Sequence, residues 1–95
     1  MEIKESNFYT SWYSRLKDAM TKARIDRRVK LASRGVYGDV KPVGDGVREL
    51  RFHFGPGYRV YFKEVNGLFF LLLAGGTKKT QSEDIDLAKE IAKHF

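Results

Sequence analysis

The chain reads as an α+β domain with an antiparallel sheet of about four strands, two N-terminal helices and a C-terminal helix. Three observations predict this. Between Gly38 and Gln81, three strand-like runs are joined by two tight turns, Gly55-Pro56-Gly57 and Asn66-Gly67. Ahead of that segment apolar residues recur at helical spacing, and they do so again behind it. The length, 95 residues, fits one domain spanning 1–95, with one modest core.

The elements follow in order. Met1–Lys4 is short and polar enough for an edge strand. From Ser6 the pattern turns helical: Phe8, Trp12 and Leu16 recur every four residues beside Tyr9 and Tyr13, and Ser6 or Asn7 supplies the N-cap oxygen. These aromatics read as helix-packing residues. A second helix over about Thr21–Ser33 places Ile25, Val29 and Ala32 on one face, with Arg24, Arg27, Arg28 and Lys30 on the others. Those cations form either a solvated face or a contact for RNA or an acidic partner. Gly35 is suited to the helix C-terminus.

Asp39–Val43 leads into the sheet, and Pro42 keeps it off the centre. Within Arg48–Phe54, Leu50, Phe52 and Phe54 alternate with Arg51 and His53. In the next strand Val60 and Phe62 alternate with Arg59, Tyr61 and Lys63. Period-two alternation sends one set to the core and the other to the opposite face. Asn66-Gly67 tolerates the positive φ of a two-residue hairpin. Leu68–Leu73 is apolar throughout and belongs near the sheet centre, ended by Gly75-Gly76. Thr80-Gln81-Ser82-Glu83 has the spacing of a capping box, and Ile85, Ala88, Ile91, Ala92 and Phe95 stripe the last helix.

Composition narrows the partners. Lys and Arg number 18 against 12 Asp and Glu, a formal net charge of +6 at pH 7. That excess favours nucleic acid, an acidic protein or an anionic surface. With no cysteine, disulfides and thiolate metal sites are excluded, which fits a reducing, cytoplasmic setting. The first residues carry no signal-peptide apolar region, and the longest apolar run, Leu68–Ala74, is far short of a membrane span. The glycine-rich turns form neither a phosphate-binding loop nor a dinucleotide fingerprint. Two distant histidines make no metal motif.

The stretches GDVKPVGDGVRELRFHFGPGYRVYF and LLLAGGTKKTQSEDIDLAKEIAK resemble the RelE/ParE toxin superfamily, in its addiction module killer (HigB-like) branch. With the helical first third, the resemblance covers nearly the whole chain. It implies a small α+β toxin neutralised by a helix-turn-helix antitoxin from the same operon. RelE-like members cut messenger RNA on the ribosome, whereas ParE-like members inhibit DNA gyrase on nearly the same fold. The expected activity is therefore a ribosome-dependent endoribonuclease. The alternatives are a toxin acting on gyrase or another protein, and a non-catalytic RNA-binding module.

RNA cleavage by its own 2′-hydroxyl needs orientation, proton transfer and neutralisation of growing phosphate charge. Arg, Lys, His and Tyr side chains can supply all of this without a metal or other cofactor. By resemblance, Gly57-Tyr58-Arg59 matches the phosphate-binding arginine of RelE-like nucleases, and Lys78 matches a basic residue after the following strand. His53 is the first candidate for acid–base work, because imidazole titrates near neutrality; a solvated sheet histidine is the plainer reading. His94 is a second candidate, though helix C-terminal charge stabilisation explains it as well. Lys41 and Arg51 are expected to hold flanking phosphates, with Lys63 and Lys79 extending the RNA-binding surface. Tyr61 either stacks a base or makes a cross-strand contact. Some RelE-type enzymes carry a tyrosine at the start of the last helix, where this chain has Asp84-Ile85. Arg59 is expected to be exposed, and so to add little to stability.

Overall fold

The computed structural model describes every residue from Met1 to Phe95. The elements run β1 (Glu2–Glu5), α1 (Asn7–Ser14), α2 (Ala19–Ser33), β2 (Val40–Gly44), β3 (Val47–Arg51), β4 (Tyr58–Val65) and β5 (Phe69–Thr77). A short 3-10 turn, Lys78–Thr80, leads into α3 (Gln81–Ala92). This is an α+β architecture, but the sheet has five strands, not four, in the order β1-β5-β4-β3-β2. It is also mixed. The antiparallel meander β2 to β5 is as expected, whereas β1 joins β5 in parallel, with Glu2 opposite Phe69 and Glu5 opposite Leu72. A parallel neighbour needs a long connection. Here α1, α2 and three strands lie between the two partners.

Ser6 caps α1: its Oγ accepts from the Tyr9 amide at 3.1 Å and donates to Leu73 O at 2.5 Å, tying the helix start to β5. The buried residue of α1 is Tyr9, not Phe8, which is exposed; the aromatic stripe turns one position from the expected one. Asp18 caps α2, accepting from the Met20 amide and the Thr21 hydroxyl. α2 buries Ile25, Val29 and Ala32, as its spacing predicts.

Asn66 and Gly67 both have positive φ, as the hairpin turn requires. So do Asp45 and Gly46, which close a second such hairpin between β2 and β3. β3 ends at Arg51, so Phe52, His53 and Phe54 lie in the β3–β4 connection and not in the strand.

β5 runs through Gly75-Gly76 instead of ending there. The two glycines admit neighbours from opposite faces. A Cβ on Gly75 would enter the Trp12 ring, and one on Gly76 would strike the Asp84 carboxylate. The capping box also moves back one turn. Thr77 and Thr80 cap reciprocally at the 3-10 turn, and the Thr80 hydroxyl makes no cap bond to α3.

Both faces of the sheet are covered. On one, Tyr9, Ile25, Val29 and Ala32 pack against Leu50, Val60, Phe62, Phe70 and Leu72, with the Phe62 and Phe70 rings stacked at 4.3 Å. On the other, Ala88 and Ala92 of α3 pack against Val47, Tyr61, Leu71, Leu73 and Ala74. No helix is long and apolar enough to cross a membrane.

Candidate nucleic-acid interface

The alternation of β3 and β4 places Arg51, Arg59 and Tyr61 on one face, as expected. Over Arg59 and Tyr61 that face is closed to RNA by α3, whereas Arg51 keeps about 34 % of its side chain exposed. Arg59 is 3 % exposed and Tyr61 0 %, which corrects the expectation of an exposed arginine and a base-stacking tyrosine. In the register, Arg51 sits directly opposite Arg59 and Glu49 opposite Tyr61. Two arginines face to face would repel. Glu49, fully buried, stands between them: its Oε1 lies 3.8 Å from Arg51 Nε and 3.9 Å from Arg59 Nε. Gln81, the first residue of α3, donates from Nε2 to Glu49 Oε2 at 2.8 Å.

Arg59 spends Nη1 on the carbonyls of Gly57 and Tyr58, at 3.0 and 3.1 Å. Its guanidinium holds the β3–β4 turn, and its Nε, turned towards Glu49, is buried, so burial closes the fork to a phosphate. Burial, then the Glu49 carboxylate, push the Tyr61 phenol well above its ordinary range. The signal for Glu49 was present in the sequence: an acid two residues before Arg51 falls on Arg51's face.

His53 stands apart, on the α2 side of the sheet. Its Nε2 contacts Asp39 Oδ2, and this bond is the main reason that the Asp39 carboxyl is held below its usual range. The imidazole is mostly exposed. It opens into a cleft of about 330 Å³ lined by Arg24, Arg27, Arg28, Phe52, His53 and Phe54. Arg28 is a structural cation. It donates to the carbonyls of Arg51, Tyr37 and Asp39 and lies 4.6 Å over the Phe52 ring. Burial draws its pKa below the ordinary value. Arg24 stacks on Phe54 at 4.2 Å. Neither Arg24 nor Arg27 has a carboxylate partner. The helix pattern alone left these arginines as a generic charged face; the turn that brings His53 to them was not readable from it.

Lys78 and Lys79 are exposed in the 3-10 turn. The Lys78 amide donates to Gly57 O at 2.9 Å, the carbonyl that Arg59 also holds, so Lys78 and Arg59 do come together. His53 does not join them. Lys41 is exposed on edge strand β2, opposite Glu49. Lys63 is half-buried, its stem against Gly46. His94 is exposed just beyond α3. No three His, Asp or Glu side chains gather where they could hold a metal ion.

No family model matches the chain. It is 46 % identical over 95 residues to an uncharacterized protein of Haemophilus influenzae (strain ATCC 51907 / DSM 11121 / KW20 / Rd), a match covering 100 % of this chain and 96 % of that protein.

Proposed function

The chain belongs to one family with the Haemophilus influenzae protein, and we propose that it is the toxin of a type II toxin–antitoxin system. In this reading it is a cytoplasmic RelE/ParE-like, HigB-like endoribonuclease that cuts translated message. Its partners are the ribosome, messenger RNA and a helix-turn-helix antitoxin from the same operon. Support comes from the resemblance of Gly38–Phe62 and Leu71–Lys93 and from the layered arrangement of the helices on a four-stranded meander.

The observation that carries the nuclease reading is the His53 cleft. Asp39 engages His53 Nε2 and orients the ring, which leaves Nδ1 to exchange a proton with the 2′-hydroxyl or the leaving 5′-oxygen. Arg24 and Arg27 supply unpaired positive charge for the phosphate, and Phe54 walls the same cleft. No step requires a metal or other cofactor. Lys78 and Lys79 extend the cationic surface, while Arg59 keeps the β3–β4 turn in shape from within.

Burial of Arg59 and Tyr61 supports a second reading, a toxin that inhibits gyrase or another protein target, because it removes an arginine from cleavage chemistry and a tyrosine from base stacking. Inducing the lone chain in cells tests the toxin class. Growth should arrest, and co-expression of the operon partner should restore it. Normal colonies at high soluble expression would contradict the proposal.

A further inference from the structure

A second cleft, of about 300 Å³, opens between β1, α1 and α2. It has no part in the proposed cleavage. Its walls are apolar, from Ile3, Val29 and Leu72. Its polar groups come from three separate elements: Glu5 ends β1, Tyr9 lies on α1 and Asp26 on α2.

Each of these groups keeps an acceptor unused. Glu5 Oε1 accepts from the Thr10 hydroxyl, and no donor reaches Oε2. Tyr13 donates to Asp26 Oδ2 at 2.7 Å, and Oδ1 is free. Tyr9 is 3 % exposed, lines the cleft, and its hydroxyl makes no hydrogen bond within the protein. The hydroxyl reaches the cleft, where it is open to a ligand's donor. Neither carboxylate is ion-paired, although Lys30 also lines the cleft.

The local field is negative. Burial raises the Tyr9 phenol far above its ordinary pKa, and Glu5 and Asp26 raise it further. Tyr13 is pushed up to about 12 by burial, then by its bond to Asp26. Burial disfavours any charge here, but the part of these shifts that comes from the Glu5 and Asp26 carboxylates favours a cation. It does so on a molecule whose net charge is +6, so the cleft runs against the surface around it.

We propose that this cleft binds an aliphatic primary ammonium group. The stem lies against Ile3, Val29 and Leu72, and the –NH₃⁺ donates to Glu5, Asp26 and the Tyr9 oxygen. An ammonium has three donors for three acceptors, whereas a guanidinium has five and would leave some facing apolar walls. The same group can arrive as a free amine or as the lysine side chain of a partner protein.

Amide chemical shifts of the ¹⁵N-labelled chain, titrated at constant ionic strength, test this. The probes are 1,5-diaminopentane, Nα-acetyl-lysine methylamide and, as a neutral match, 1-pentanol. Saturable shifts around Glu5, Tyr9, Asp26 and Leu72 are expected with the two amines, at about 1 mM, as suits so small a ligand. Pentanol should bind about tenfold more weakly, as should the amines to Asp26→Asn, because a charged hydrogen bond is lost. Tyr9→Phe keeps the ring in the core and should still weaken binding severalfold. Tighter binding of the lysine amide assigns a partner's lysine, and tighter binding of the diamine assigns a free amine. Equal binding of pentanol, unsaturable shifts scattered over the surface, or unchanged affinity in a well-dispersed Asp26→Asn spectrum would each overturn the proposal.

Discussion

Glu49 and Arg59 show how a single residue's environment changes its meaning. A basic residue alternating with valine and phenylalanine is ordinarily exposed, where an ion pair is worth about 0–1 kcal/mol. Under α3 the same arginine is 3 % exposed beside a carboxylate with no exposure at all. Removing Glu49 leaves the buried Arg59 facing Arg51 with no counter-charge, and removing Arg59 leaves the buried Glu49 only the partly exposed Arg51. Arg59→Ala is therefore expected to cost about 3–5 kcal/mol of stability, and Glu49→Ala a similar amount. The double variant should cost clearly less than the sum, because neither charge is then left alone. Chemical denaturation of the three variants measures this. A fully stable Arg59→Ala protein would show that the arginine is replaceable in the core. The alternation of Arg51, Arg59 and Tyr61 was legible in the sequence. What covers their face was not, since period two tells which residues share a face and nothing about the layer above it.

At the scale of elements, β5 is fitted to α1 on one face and to α3 on the other through absent side chains. Gly75 makes room for Trp12 on one face, and Gly76 makes room for Asp84 on the other. The sequence pattern presents this glycine pair as the end of a strand, because glycine lowers strand propensity; the packing partners that need the space lie more than sixty residues away for Trp12. Gly75→Ala is expected to lower stability by about 1–3 kcal/mol through overpacking. In a Trp12→Ala background the same change should be neutral or stabilising, which thermal unfolding of the four proteins reads directly. An equal loss in both backgrounds would exclude Trp12 as the cause.

Asp84 gives a pH signature for the same junction. Burial holds its carboxyl above the usual range, against the opposing bond from the Thr80 hydroxyl at 2.5 Å. The folded state thus binds this proton more tightly than the unfolded chain. The penalty is absent below the ordinary carboxylate value, about 3.9, grows as pH rises to the raised folded value, and is constant above it. Asp84→Asn should accordingly raise Tm at pH 7, with the gain shrinking as pH falls through that window. A gain that is the same at pH 7 and at pH 3.5 would contradict the assignment. Turn chemistry was the more readable part of these elements. Asn66-Gly67 adopts the expected positive φ, and Asp45-Gly46 carries the same signal for the β2–β3 hairpin. The parallel docking of β1 beside β5 had no local signal, since a four-residue strand does not encode the direction of its partner.

For the whole molecule, one basic chain carries cations in different states. Arg28 and Arg59 hold backbone carbonyls inside the fold, and Arg59 also faces the buried Glu49. Arg24 and Arg27 remain unpaired around the His53–Asp39 contact, and Lys78 and Lys79 stand exposed at the end of β5. Net charge alone pointed to a polyanionic partner. The layer order decides which cations can meet it. The nuclease reading places proton transfer at His53 and phosphate neutralisation at the α2 arginines, so it makes a specific demand. Loss of the acid–base group should cost about 10²–10⁴ in rate, with the fold intact because the imidazole is mostly exposed.

The most direct test of the central claim is primer extension on cellular messages after induction, comparing the native chain with His53→Ala and with Arg24→Ala/Arg27→Ala. The account predicts discrete new 5′ ends within translated regions for the native chain. It predicts their loss in both variants while each retains the native unfolding transition. Unbroken messages during growth arrest by the native chain would contradict the nuclease and move the function to a protein target such as gyrase.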